Sequence, residues 1–506
     1  MTAPLPLEQL KRRLHDAYGA VEHLQTHISH VLLAGDYAFK IKKPVNFGFL
    51  DFTDLAQRQF FCQEELRLNR RLAPALYLGL MGLDATGRLS ATAAAGDEPV
   101  VQMRRFDQNA RLDQYAARQG LTDAQVDGMA RQIERFHAEA AVAPQDSHFG
   151  SPETVYFPIR QNFEQIRGFA ISTDDAALIG RIESASQQAF EQLKPLIARR
   201  KQQGFVREGH GDMHLGNMAL IDDAVVIFDA IEFNADFRWS DTANDLAFLW
   251  MDLTDRGLLG AARRLLNTYL EASGDYEALL LLKFYGAYRA MVRAKIALFE
   301  LRPELTDDEA ARQWATFRRY ARLAEQFFNP TTPTLWLTLG FSGSGKSLAA
   351  MELVTAMGAV RVRSDAERQR RYIERMNRYS QEASAAVYAE LLRIAELGLS
   401  AGWSMVIDAT FLKQAQRQPF WALGQRLGLP VHLLFIECDV STLRRYLAER
   451  AAAGSDISEA DETVLASQMQ QLEPLTAEER ARSFRLRCDA PFGGQVADVL
   501  AALPAD

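Results

Sequence analysis

The sequence predicts two successive folds, an α+β domain of two lobes and then a three-layer α/β domain with a mainly parallel sheet. Three observations carry this prediction. At 506 residues the chain exceeds what a single core accommodates. Its first part passes from short period-two strand patterns to long helical ones, interrupted by a polar loop at His210–Asn217. Its last part opens with an apolar strand, "LWLTLG", that runs through a glycine-rich turn into a helix and is followed by further buried strand patterns.

In order, residues 7–25 carry a helical pattern, and "HVLLAGDYAFKIKKP" reads as two strands turning at Gly35-Asp36. Lys40 lies in Ala38-Phe39-Lys40, an Ala-x-Lys pattern like that of the kinase strand lysine that contacts the α- and β-phosphates and pairs with a helix glutamate. Lys42, two residues on and so on the same strand face, is its rival. Residues 53–72 form a strong helical pattern in which Phe61, Glu65, Leu68 and Leu72 share a face. Glu65 therefore points inward, where a carboxylate needs a cation, and Lys40 is the natural one; Glu64 is the alternative. Strands at 76–83 and 99–103 follow, and Met103-Arg104-Arg105-Phe106 marks the passage from a small lobe (about 1–103) to a large one (about 104–328). No G-x-G-x-x-G precedes Lys40, so a loop covering the phosphates is shorter than that of protein kinases. Residues 111–200 and 243–328 are mainly helical. Tyr285, Tyr288, Arg289 and Arg293 share the later stretch, where they line an acceptor pocket or simply pack.

The loop between those helical regions carries the chemistry. Asp212, Asn217 five positions on, and Asp229 at the end of the next apolar run are spaced as in kinase catalytic loops. There the first Asp accepts the proton of the acceptor hydroxyl, and the Asn and second Asp hold magnesium. Phosphoryl transfer needs such groups because positioning and charge neutralisation supply most of its rate.

These residues, with His210-Gly211 before Asp212, resemble the Brenner-type motif and metal aspartate of the aminoglycoside phosphotransferase/choline kinase superfamily, a branch of the protein-kinase-like fold. The resemblance spans residues 1–328 and implies Asp212 as catalytic base, Asn217 and Asp229 as magnesium ligands, and His210 as a support of the loop. His214 is a second structural group or an acceptor contact. The motif is specific for phosphotransfer and says little about the acceptor.

"FFNPTTPT" has the composition of a linker, so a second domain spans 329–506. Gly340-x-x-x-x-Gly345-Lys346-Ser347 between strand and helix is the P-loop pattern, whose backbone N–H groups close around phosphates. Ser342, Gly343 and Ser344 complete the cradle, Lys346 reaches the β- and γ-phosphates, and Ser347 ligates magnesium. Asp408 ends a second buried strand as a Walker-B-like carboxylate on the magnesium side, with Thr410 beside it. Arg444, Arg445 and Arg450 lie on a helix running into a polar turn with Asp456 and Ser458, which looks like the lid of small P-loop kinases. This half resembles the P-loop kinases that include polynucleotide 5′-hydroxyl kinases, zeta-toxin-like kinases and gluconate kinase, the AAA_33 type. That likeness implies Asp365 as the base for a second acceptor hydroxyl, Arg368 as a group holding that acceptor, and the lid arginines, Arg450 among them, as catalytic charge neutralisers.

Composition narrows the class. Apolar residues make up 48% and charged residues 24%, as in an ordinary globular protein. A net charge of −8 gives no global sign of a nucleic-acid binder. The N-terminus lacks a signal-peptide core, and Lys283 and Arg289 interrupt the most apolar stretch, so a cytoplasmic protein without membrane spans is expected. Cys62, Cys438 and Cys488 match no metal or redox spacing and read as three reduced thiols. The expected function is a bifunctional phosphotransferase that uses ATP or GTP with Mg2+ on small-molecule hydroxyls. One alternative is a nucleotide-regulated or toxin-like kinase with one silent site. Another is a nucleic-acid 5′-hydroxyl kinase in the P-loop half, with a basic channel along 361–374 and 444–450. The sequence is silent on oligomeric state.

Overall fold

The computed structural model describes residues 5–46, 50–91, 94, 96–372, 380–453 and 462–503, the side chains of 450–453 excepted. Arg450, Asp456 and Ser458 therefore lie outside the described side chains. The chain divides into two compact units, Met1–Asp252 with Tyr288–Ala321, and Leu253–Ala287 with Arg322–Asp506. A single cut at 328/329 does not follow this packing. The helix Leu259–Ser273 belongs with the second unit, where Asn267 Nδ2 donates to Ala359 O at 3.1 Å and Asn267 Oδ1 accepts from Arg361 N at 2.6 Å. An amphipathic pattern shows that a helix packs, but not against which core.

In the first unit a six-stranded antiparallel sheet runs in the order Val21–Gln25, Ser29–Ala34, Tyr37–Lys42, Glu98–Arg104, Tyr77–Leu83 and Leu89–Ser90. Four of these strands are the expected ones; Val21–Gln25 falls in the stretch read as helical, and the two-residue Leu89–Ser90 is too short to leave a period-two signal. The expected helix over 7–25 stops at Tyr18, because Gly19 adopts φ 84° and the chain turns into the first strand. Alternation on Tyr37–Lys42 places Phe39 and Ile41 with Leu10 and Leu14 of the helix Leu7–Tyr18. Lys40 and Lys42 project to the other face, where the helix Leu55–Asn69 lies with Cys62 against Val101 and Tyr77. The helices Leu112–Gln119, Asp123–Glu139, Pro152–Arg167 and Thr173–Gln202 form the expected helical region. After it, the hairpin Met218–Ile221/Ala224–Ile227 carries the chain from Asn217 to Asp229.

In the second unit five parallel strands are ordered Val360–Arg363, Met405–Asp408, Leu335–Leu339, Val431–Glu437 and Ser483–Arg487. Trp336, Val406 and Leu434 on one face pack with Ala349, Ala350 and Leu353 of the helix Lys346–Met357 and with Val496 and Val499 of Phe492–Ala501. On the other face the helix Gln381–Ser400 comes so close that a Cβ on Gly398 would lie 2.2 Å from Met405 Sδ. The described residues contain no helix long and apolar enough to cross a membrane.

The cysteine expectation is corrected for two of the three residues. Cys438 and Cys488 form a disulfide, because each directly follows one of two neighbouring parallel strands whose register pairs Glu437 with Arg487. A sequence separation of 50 residues hid that adjacency. Cys62 is free and buried, and burial pushes its thiol up to about 12. Closing a loop of this length restricts the unfolded chain, so reduction of the disulfide should lower the stability of the second unit by about 2–4 kcal/mol. Thermal melts with and without a dithiol reductant, and of a Cys438→Ser/Cys488→Ser variant, check this. Coincident melts would show that the bridge contributes nothing.

Candidate functional site

The loop that carries Asp212 follows the strand Val206–Glu208 and is held through its backbone. The Asp245 carboxylate accepts from His210 N at 2.6 Å and Gly211 N at 2.8 Å, Arg289 Nη1 donates to Gly211 O at 3.0 Å, and Leu215 N donates to Asp252 Oδ2 at 2.9 Å. His210 Nε2 lies 3.0 Å from Phe228 O and its Nδ1 accepts from Asp212 N at 3.2 Å, which sets the tautomer. Burial keeps that imidazole neutral by lowering its pKa. His210 thus spans the loop and the segment before Asp229, as a support would. Arg289 serves this backbone rather than lining open space.

The Asp245 carboxyl is itself displaced from the ordinary 3.8 to about 2. Burial alone would raise it, but His137, 3.5 Å away, and the His210 N–H outweigh that. A carboxyl lowered in the folded state adds stability above the unfolded pKa and loses it as pH falls through the folded one. Asp245 should therefore contribute about 2 kcal/mol above pH ~4, fading by pH ~2. Denaturant titrations of Asp245→Asn against wild type at pH 7 and pH 2.5 measure this. The gap should narrow on acidification, and an equal gap at both values would contradict the assignment.

Asp212 accepts from Asn217 Nδ2 at 2.8 Å, and His214 Nε2 lies 3.4 Å from the same oxygen. Burial alone would raise its pKa, but His214 and Arg293 overcome this and hold the carboxyl far below the usual range. It is ionised at neutral pH with one oxygen fixed by the Asn217 amide. His214 Nδ1 also accepts from Gly216 N at 3.0 Å, so this side chain braces the turn and faces the carboxylate at once.

Across from this loop, Lys40 Nζ is 2.8 Å from Glu65 Oε1 and 2.7 Å from Asp229 Oδ1. The expected Lys40–Glu65 pair is present, and Lys42 joins the same glutamate, with Glu65 Oε2 at 2.7 Å. Glu64 turns instead to Arg67, at 2.7 Å, and to Arg238, at 3.4 Å. Asp229 has φ 64°, and its backbone N–H faces Tyr77 Oη at 3.3 Å. That left-handed backbone is costly for a residue with a side chain and persists where its surroundings require it.

The donor set suits magnesium. Asn217 commits its amide nitrogen to Asp212, which leaves the amide oxygen as the donor toward a cation, and the Asp229 side chain is 44% exposed. Among the described residues no cluster of three or more His, Cys, Asp or Glu could hold a metal by itself. A site with one carboxylate and one amide oxygen fits a cation that takes its remaining ligands from water and phosphate.

In the second unit Gly343 and Gly345 take φ 85° and 84°, and a Cβ on Gly345 would lie 2.8 Å from the Phe492 ring. Only glycine serves at such a position. Lys346 Nζ donates to Phe341 O at 2.6 Å, and the Gln468 carboxamide accepts from Ser342 N and donates to Ser342 Oγ, both at 2.9 Å. Ser344 Oγ is buried without a hydrogen-bond partner, and the buried Asp408 Oδ2 accepts no hydrogen bond but faces Arg363 Nε at 3.7 Å. Such groups are costly unless something satisfies them, which a nucleotide phosphate and its cation would do. Ser347 follows Lys346 at the start of this helix. Asp365 lies in the first turn of the helix Ser364–Arg371 just beyond Arg363, which is in register with Asp408, so both aspartates sit at the C-terminal end of neighbouring strands. Arg368 is buried on that helix.

Several arginines of this region carry carboxylate partners. Arg361 and Arg363 meet Glu271 at 2.7 and 3.1 Å, Arg370 meets Glu367, Arg371 meets Glu390 at 2.7 Å and Arg444 meets Glu462 at 2.9 Å. Sequence reasoning missed Glu271, Asp245, Glu232 and Gln468. No motif marks them, and each acts through a partner remote in sequence.

Residues 335–475 match the AAA_33 family, an AAA domain. "Uncharacterized protein Rv2004c" of Mycobacterium tuberculosis (strain ATCC 25618 / H37Rv) is 31% identical over 442 residues, 85% of this chain and 85% of that protein. "Uncharacterized protein Mb2027c" of Mycobacterium bovis matches to the same extent, 31% over 442 residues. The chain belongs to the family of these mycobacterial proteins. Among solved structures, a choline/ethanolamine kinase family protein from Mesorhizobium loti is similar over 64% of this chain and 100% of its own, at 14% identity and TM-score 0.36. A gluconokinase from Sinorhizobium meliloti 1021 is similar over 34% of this chain and 91% of its own, at 20% identity and TM-score 0.28. This chain combines a unit built on a six-stranded antiparallel sheet with a unit of five parallel strands that holds the AAA_33 match.

Proposed function

We propose that this protein is a magnesium-dependent phosphotransferase with two nucleotide sites, each moving the γ-phosphoryl group of ATP or GTP to a hydroxyl of a small molecule. The observation that carries the reading is Asp212, an ionised carboxylate with one oxygen fixed by Asn217 and His214, in the unit where Lys40 holds Asp229. Asp212 accepts the acceptor's proton as the hydroxyl oxygen bonds to the γ-phosphorus, and the bridging P–O bond breaks to release the nucleoside diphosphate. Lys40 bears on the phosphates while Glu65 orients it. Asn217 and Asp229 would hold magnesium, which neutralises phosphate charge when bound. In the P-loop unit the backbone of Gly340–Gly345, with Lys346, cradles the phosphates. Ser347 and Asp408 would hold the cation, and Asp365 faces the second acceptor.

A small-molecule acceptor is favoured over a nucleic-acid end because Arg361, Arg363, Arg370, Arg371 and Arg444 are paired with carboxylates. The test is acceptor-stimulated release of nucleoside diphosphate over a panel of sugars, amino alcohols, hydroxy amino acids and a 5′-hydroxyl oligonucleotide. Stimulation by a small hydroxyl compound supports the reading. Stimulation by the oligonucleotide alone, weakening with salt, would replace it.

A further inference from the structure

Beyond the single lysine–glutamate pair, the first unit holds a continuous chain of five charged groups: Asp229, Lys40, Glu65, Lys42 and Glu232. Lys40 touches Asp229 at 2.7 Å and Glu65 at 2.8 Å, Lys42 touches Glu65 at 2.7 Å, and Lys42 also pairs with Glu232. Lys42 and Glu65 are fully buried and the Glu232 side chain is 4% exposed, so water screens neither the Lys42–Glu65 nor the Lys42–Glu232 contact, whereas Asp229 forms the open end of the chain. The Lys42 ammonium lies 4.9 Å from the centre of the Phe52 ring. Burying a second lysine and a third carboxylate is expensive, and neither is needed merely to orient Glu65. Strand Tyr37–Lys42, helix Leu55–Asn69 and the segment after Asp229 each supply part of this chain, so its charge balance decides how strongly Lys40 is held.

We propose that Lys42 and Glu232 are positioning residues that set how tightly Lys40 is held, and thereby the affinity of this site for a nucleotide triphosphate. The inference rests on the reading of Lys40 as the phosphate-contacting lysine. Lys42 neutralises Glu232 and takes one oxygen of Glu65, leaving Lys40 with the other. Removing Lys42 leaves two buried carboxylates to draw on Lys40, which is then withheld from phosphate. Removing the Glu232 charge turns Lys42 fully to Glu65, which loosens its hold on Lys40. The two ends of one buried ion pair therefore act on the nucleotide in opposite directions. A purely structural pair would not do this, since breaking it from either side would only destabilise the fold.

The experiment uses the full chain with Lys346→Ala, so that the P-loop site is weakened, and titrates Mg·ATP calorimetrically, with thermal melting to follow folding. Lys42→Met should raise the dissociation constant about tenfold, and Glu232→Gln should lower it by about two- to threefold. No change in either variant, or a shift of both in the same direction, overturns the proposal. If Lys42→Met does not fold, the near-isosteric Glu232→Gln decides alone. Tighter binding supports the proposal, and unchanged or weaker binding overturns it. Failure of the underlying reading looks different: Lys40→Met in the same background would then bind Mg·ATP as well as its parent, and the inference would fall with it.

Discussion

Replacing Asp212 with asparagine should reduce phosphoryl transfer at the first site by about 10²–10⁴-fold while leaving nucleotide affinity within a few-fold of wild type. The substitution keeps shape and removes the proton acceptor. The loop itself should survive, because Asp245, Arg289 and Asp252 grip its backbone and none of those contacts uses the Asp212 side chain. The partners lost are Asn217 Nδ2 at 2.8 Å and the nearby His214. The surroundings hold Asp212 well below the usual carboxylate range, so across pH 5–9 its ionisation should add no limb to the rate profile. A rate that rose with a carboxylate-like midpoint in that window would place the base elsewhere. Steady-state rates with an identified acceptor, together with nucleotide titrations, check both parts.

Lys346→Ala should weaken nucleotide binding in the second unit by about 10–100-fold, from the loss of a hydrogen-bonded charge against phosphate. It should cut turnover there further, by about 10²–10³-fold, as charge stabilisation in the transition state is lost. The ammonium now rests on Phe341 O at 2.6 Å, a contact within its own loop. The glycines that shape the cradle are untouched. Nucleotide titration of the variant, read beside an unchanged melting temperature, tests this. Wild-type affinity would mean that the loop is not the phosphate site.

Local patterns carried much of this. Lys40 and Lys42 share a face because strands alternate, and Glu65 points inward because of its place on an amphipathic helix. Both inferences needed only a few neighbouring residues. The two loops proposed to serve phosphate transfer are visible for the same reason, since the His210–Asn217 and Gly340–Ser347 motifs are contiguous. What escaped depends on distant partners. Lys42 looked like a rival to Lys40, but Glu65 has two oxygens and Glu232 supplies a further carboxylate, so both lysines are accommodated. Cys438 and Cys488 became neighbours only through the register of two parallel strands. The helix Leu259–Ser273 read as part of the first domain, yet its Asn267 and Glu271 bond to the strand Val360–Arg363 of the second unit. Periodicity does not name a partner.

The central claim is that one chain holds two independent phosphoryl-transfer sites. The most direct measurement gives labelled ATP and a pooled metabolite extract to wild type, Asp212→Ala, Lys346→Ala and the double variant, and identifies the labelled products by mass spectrometry. The account predicts that each single variant loses a different product and that the double variant loses both. A single product, abolished by one substitution and indifferent to the other, would contradict it and leave one catalytic site beside a silent or regulatory one.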